Sequence, residues 1–349
     1  MSDTLYYPIL KGKQGEFRAL GLLGAKKLQI TPVIELVPVP FDYAENKPKK
    51  SLADHVAAVP KQVVKGWGNG EAWIDPHDLA KDAGAALAQC LTEGRALNAA
   101  FVPVIRVEST APVIQAAKNG VTTDGRGIVL RVTSKHLTDW AVTGPKLTKM
   151  LEDVGASRKD AHLILDFGPI GSDVTVLAMA AVSIVRSVPT PKAWKSLAVA
   201  SGAFPKDLAA VKRLTIARLP RLDYDLWSRI IMSGDLPRRP IFADYAVGHP
   251  EWTERDFRML TMSGSIRYTG GKDWVIVKGT SVKKDKWVQM RQRSKDLMAQ
   301  PEFSKLSWGD TFIENCANNT GNTGNATTWR QVGTVRHIVK TLKQTASHP

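Results

Sequence analysis

The sequence predicts a (β/α)8 TIM-like barrel, on three observations. Short apolar runs recur along the chain, most of them end on a charged or polar residue, and helix-like stretches separate them. The runs are apolar at consecutive positions instead of alternating, the pattern of strands covered on both faces in a parallel sheet. A strand–helix rhythm repeated about eight times favours closure into a barrel. An open doubly wound sheet is the alternative. The chain has no G-x-G-x-x-G after a strand and no G-x-x-x-x-G-K-[ST], which weakens the nucleotide-binding forms of that alternative.

The predicted strands occupy 6–11, 30–35, 72–75, 101–108, 127–132, 162–166, 196–201 and 241–245. Helical patterns fill 14–23, the alanine-rich 76–97, 111–117, 138–151, 173–187 and 205–213. Residues 214–225 read as an insertion ahead of a helix through Trp227 and Ile231. Beyond Trp252 the rhythm changes. Residues 265–269 and 274–279, joined through Gly270 and Gly271, form a hairpin pattern, and a helix is expected over 285–299. The whole chain, 1–349, reads as one barrel-like domain with a basic hairpin-helix insertion at 262–300. Residues 315–328, rich in Asn, Gly and Thr, read as a flexible loop, and a final helix is expected over 329–342.

Composition bounds the function. Hydrophobic residues make up 43% and charged residues 23%, values that allow a sizeable core. A net charge of +15 makes polyanions plausible partners without specifying nucleic acid. Cys90 and Cys316 cannot build a disulfide framework and neither belongs to a C-x-x-C pair, so a reducing cytoplasm is expected. The first residues lack a basic stretch followed by an apolar one, so no secretory signal is expected, and the apolar stretch 174–185 is too short to cross a membrane.

In a barrel the C-terminal strand ends converge on one face, where sites are built. The charges at those ends are Lys11, Glu35, Asp75, Arg106, Glu108, Arg131, Asp166 and Asp244, and His249 follows the last strand at the expected rim. Arg106 and Glu108, two apart, should share a face of one strand. These residues are expected to line a polar mouth for a phosphorylated ligand, or simply to cap the barrel by pairing with one another. Glu35, Asp75, Glu108, Asp166 and Asp244 could give oxygen ligands to magnesium. A Schiff-base role for Lys11 would need a lowered pKa. No H-x-H, H-E-x-x-H or G-x-S-x-G occurs: His77 could line the mouth, His162 starts a strand at the far end, and Ser201 is no nucleophile elbow. From Lys272 to Lys295 there are eight Lys or Arg against two Asp, interleaved with Trp274 and Trp287. Lys283, Lys284, Lys286 and Arg291 there are candidates for nucleic-acid contact. The plain reading is a solvated surface with its tryptophans in the core.

The stretch YYPILKGKQGEFRAL at 6–20, followed by ITPVIE at 30–35, resembles the beta-protein family of phages, satellite prophages and bacteria. WID at 73–75, PVIR at 103–106, LD at 165–166 and WR at 329–330 continue the likeness along most of the chain. Members include the beta component of the gop–beta–cII module of satellite prophages. The resemblance implies a part in antiphage defence or in restraining a toxic effector of the same module, with that effector as partner. It carries over no catalytic residues. Three functions stay open: a component binding an effector protein or phosphorylated ligand, an enzyme on phosphoesters or nucleotides, and a nucleic-acid-binding regulator.

Overall fold

The computed structural model describes residues 4–171, 173–252 and 262–348. The strands β1 (Tyr6–Lys11), β2 (Val33–Glu35), β3 (Ala72–Asp75), β4 (Phe101–Arg106), β5 (Ile128–Thr133), β6 (Ala161–Pro169) and β7 (Ser196–Gly202) pair in parallel, each with the next. After β8 (Thr215–Pro220), which lies outside the barrel, β9 (Ile241–Asp244) pairs with both β7 and β1 and closes an eight-stranded ring. The closed (β/α)8 barrel is therefore the fold.

Consecutive apolar residues in the strands serve two cores. Tyr7, Ile9, Val33, Trp73, Val102, Val104, Val129, Ile164, Ala198, Ala200 and Ala243 fill the interior. Their neighbours in sequence, among them Leu10, Ile34, Ile74, Ile105, Leu130, Leu165 and Phe242, face outward against the helices. The interior alanines leave room for the large rings, and Tyr7 and Trp73 pack with centroids 4.4 Å apart.

The outer helices are α1 (Gln14–Gly21), α2 (Leu52–Trp67), α3 (Ala83–Ala96), α4 (Ala111–Asp124), α5 (Trp140–Val154), α6 (Val174–Ser187) and α7 (Leu222–Met232). The strand patterns alone give no reason to expect α2, which carries Pro60 within it; the Ser51 hydroxyl caps it by accepting the Asp54 N–H at 3.0 Å. Residues 205–213, expected to be helical, form turns instead. The carbonyl of Leu208, which a helix would commit to the Lys212 N–H, accepts the Lys278 ammonium at 2.5 Å, and so does that of Val211 at 2.7 Å.

The expected hairpin is larger than its pattern. It comprises β10 (Ser263–Thr269) and β11 (Asp273–Ser281), and β8 adds to β11 antiparallel, giving a three-stranded sheet. Residues 285–299 do not make one helix: Lys286 has φ of 51°, and α8 begins only at Met290 and runs to Met298. Residues 315–317, expected in a flexible loop, close α9 (Trp308–Ala317), which a Ser307–Asp310 capping box starts. The last helix, α10 (Ala326–Ala346), joins the two cores. Trp329 and Val332 pack with Ile266, Tyr268 and Val277 of the insertion, while Val335, Ile338 and Leu342 pack on the barrel.

One close approach gives a test of the ring. Gly127, just before β5, has φ of 83°, and a Cβ there would sit 1.9 Å from the Asp160 carbonyl oxygen at the entrance to β6. Gly127→Ala should lower stability by about 2–3 kcal/mol. Urea unfolding checks this; an unchanged midpoint would mean that the two strand entrances are not so close.

Candidate functional site

At the C-terminal end of the barrel the inward positions carry charge. Counting every second residue from Tyr7 brings Lys11 to the rim, and the registers Lys11–Glu35, Glu35–Asp75 and Arg106–Arg131 set its neighbours beside it. Six of the predicted residues meet here: Lys11, Glu35, Asp75, Arg106, Arg131 and Asp166. Arg131 is the hub. Its Nη1 lies 2.9 Å from Glu35 Oε1 and 2.6 Å from Asp75 Oδ2, and its Nε donates to Asp166 Oδ2 at 2.8 Å. Its Nη2 donates to the Tyr245 hydroxyl, which in turn donates to Asp166 Oδ2 at 2.6 Å.

Every carboxylate oxygen of the three strand-end acids is engaged. Asp75 Oδ2 also accepts Arg106 Nη2 at 2.7 Å, and Oδ1 accepts the His77 N–H. Asp166 Oδ1 accepts the Gly168 N–H, and Glu35 Oε2 lies 2.6 Å from Lys11 Nζ. Lys11 also pairs with Asp78 at 2.9 Å and donates to the Pro250 carbonyl, tying the loop after β9 to the rim. Three cations and three strand-end carboxylates thus neutralise one another in a plug where Arg131 is 1% exposed.

Electrostatics follow from this pairing. Burial works to raise the Asp75 carboxyl, but Arg106 and Arg131 outweigh it and hold it far below the carboxylate range. Burial likewise opposes the Lys11 ammonium, yet Glu35 and Asp78 raise its pKa, the opposite of what a Schiff-base lysine needs. Among the described residues no group of three or more His, Cys, Asp or Glu is arranged to hold a metal ion.

Three predicted residues lie elsewhere. Glu108 is beyond the end of β4, in a turn where Ser109 Oγ accepts the Arg106 N–H; it shares no strand face with Arg106 and sits 3.7 Å from His136. His249 is on the outer rim, accepting the Glu251 N–H at 3.1 Å. Asp244 is one residue out of phase with the interior. It points outward, accepting from the Tyr6 hydroxyl, the Ala246 N–H and His337 Nε2 at 2.8 Å. Trp274 Nε1 donates to His337 Nδ1, which fixes the proton on Nε2. Tyr245, absent from the predicted set, is the residue in phase, and the parity Ile241, Ala243, Tyr245 carries that signal in the sequence.

Beside Asp244, Asp223 is buried, and that burial together with the Asp244 charge pushes its pKa up to about 7. An acid that ionises later in the folded than in the unfolded chain costs stability as pH rises from its ordinary value, near 4, to 7. Asp223→Asn should therefore flatten the stability profile between about pH 4 and 7. Thermal melts across that range check this, and an unchanged slope would contradict it.

A second feature opens next to the plug. A cleft of about 590 Å³ lies between the loops after β1 and β7, the sheet of the insertion and the start of α10. Lys13, Lys206, Arg267, Lys278 and Arg330 line it with Trp287, as do the first residues of α1 and α10, whose N–H groups favour anions. Lys206 pairs with Glu251, whereas Lys13 and Arg330 form no ion pair with a carboxylate among the described residues. Lys13 lies over the Trp252 ring at 4.3 Å, and Arg330 donates to the Val247 carbonyl. Burial, with Arg330 and Lys11 adding to it, lowers the Lys13 pKa, only partly offset by Glu16.

The basic stretch divides. Trp274 is fully buried in the core, and Arg291 donates to the Cys316 carbonyl, while Lys283, Lys284 and Lys286 are exposed. Loop residues such as Lys13 and Lys206 obey no strand or helix period, so the sequence gives no sign that they meet.

The model of the family described as Beta protein matches residues 6–343. The chain belongs to the Beta protein family. The match takes in the barrel, the insertion and nearly all of α10, so the plug and the cleft both lie within the family's own span. No curated protein matches the chain. No helix among the described residues is long and apolar enough to cross a membrane.

Proposed function

We propose that this family member is a binding component of a phage–host conflict module, and that it takes a phosphorylated or otherwise polyanionic ligand in the cleft beside the barrel mouth. The observation that carries this reading is the pair Lys13 and Arg330, cations on a concave wall that form no ion pair with a carboxylate among the described residues and share buried Glu16 as a longer-range counter-charge. The mouth itself supports ligand binding less. A phosphate at Lys11, Arg106 or Arg131 would have to displace a buried carboxylate already within 2.6–2.9 Å of a cation. The same occupancy speaks against the phosphoester-processing alternative, which needs one of Glu35, Asp75 and Asp166 as acid, base or metal ligand. Family membership supports the place in a conflict module, with a toxic effector of that module as the protein partner.

Calorimetric titration with inorganic tripolyphosphate tests the ligand class. Binding that weakens steeply with salt is expected; no binding by folded protein at low salt would overturn it. Co-expression with the module's toxic product tests the setting: the chain should restore growth, and unrelieved toxicity at equal expression would refute that role.

A further inference from the structure

The cleft has an aromatic wall as well as a charged one. Trp287 lines it half-buried, with the hydrophobic core of the insertion behind it. It sits directly after Lys283, Lys284 and Lys286, all exposed. Trp287 packs on that core and still presents a face to the wall shared with Lys13, Lys278 and Arg330. Trp274, in the same insertion, shows the contrast: it is 0% exposed, against Phe204 and His337. An indole beside cations matches a ligand that carries both a flat π-face and phosphate, because base stacking and phosphate pairing are separate attractions that such a ligand satisfies together. An acidic peptide would satisfy only the charges.

We propose that the ligand of this cleft is a phosphorylated nucleoside unit, with its base on Trp287 and its phosphates toward Lys13 and Arg330. This rests on the anion-binding reading of the cleft. The volume of about 590 Å³ is in the range of small-molecule sites and admits such a unit. The unit could be a free nucleotide or the end of a single strand, whose backbone would continue over Lys283, Lys284 and Lys286.

The test is titration of the full chain with ATP, inorganic tripolyphosphate and a (dT)8 oligonucleotide, followed by tryptophan fluorescence. ATP should bind about tenfold more tightly than tripolyphosphate and quench the emission. Trp287→Ala should erase that advantage and leave tripolyphosphate affinity unchanged, while Trp287→Phe should keep part of it. ATP and tripolyphosphate binding equally, with Trp287→Ala silent, would overturn the base contact and leave the anion site standing. No binding of any of the three would overturn both. Tighter (dT)8 than ATP binding, with a salt slope reduced by Lys283→Ala, Lys284→Ala and Lys286→Ala, assigns the unit to a strand; the reverse order assigns it to a free nucleotide.

Discussion

Arg131→Met should destabilise the protein by about 3–5 kcal/mol, because it strands Asp166 in the barrel mouth without a cation and leaves Glu35 and Asp75 with only Lys11 and Arg106. The pH dependence should change sign as well. In the native chain Asp75 is held below its unfolded pKa, so its contribution is present above about pH 4 and is lost as pH falls toward the lower folded value. Without Arg131 the burial of Asp75 is opposed by one arginine, Arg106, instead of two, Asp75 ionises later, and stability should fall as pH rises above about 4. Combining Arg131→Met with Asp166→Asn should recover part of the loss, since Asp166 then carries no stranded charge while Glu35 and Asp75 keep Lys11 and Arg106 as partners. Chemical denaturation from pH 3 to 8 measures all three effects. A loss below about 1 kcal/mol would mean that the ion web is open to water and screened, as surface pairs are.

Lys13→Gln with Arg330→Gln should abolish polyanion binding while the chain stays folded, with a stability cost as well, because buried Glu16 loses two cations that favour its charge. Neither cation holds a carboxylate in an ion pair among the described residues, and burial already disfavours the Lys13 charge. Hydrogen bonds to charged groups contribute about 1.5–3 kcal/mol each, so the double variant should lose at least a hundredfold in affinity for tripolyphosphate. The slope of log affinity against log salt should fall by about one for each cation removed. Calorimetry over a salt series reads both. Retained affinity with an unchanged slope would place the anion elsewhere.

The ring and the cleft differ in how legible they were in the sequence, and the reason is periodicity. Strands buried on both faces leave unbroken apolar runs, and their charged ends mark the mouth, so Lys11, Glu35, Asp75, Arg106, Arg131 and Asp166 are found together. Phase within a strand decides the rest. Asp244 falls on the outward parity and Tyr245 on the inward one, although both close the same run. β8 is a half-exposed edge strand ending on Pro220, which reads as a loop because only its partner β11 makes it a strand. Cleft residues come from loops, an insertion strand and two helix starts, brought together by tertiary packing that no local pattern encodes.

Where an anion binds decides between the cleft and the barrel mouth. The most direct measurement is a crystal structure grown with tungstate, whose anomalous scattering marks the oxyanion without reference to the protein's chemistry. A peak between Lys13 and Arg330, with the Arg131 web intact, is the predicted result. A peak confined to Lys11, Arg106 and Arg131, or none in the cleft at saturating tungstate, would contradict it.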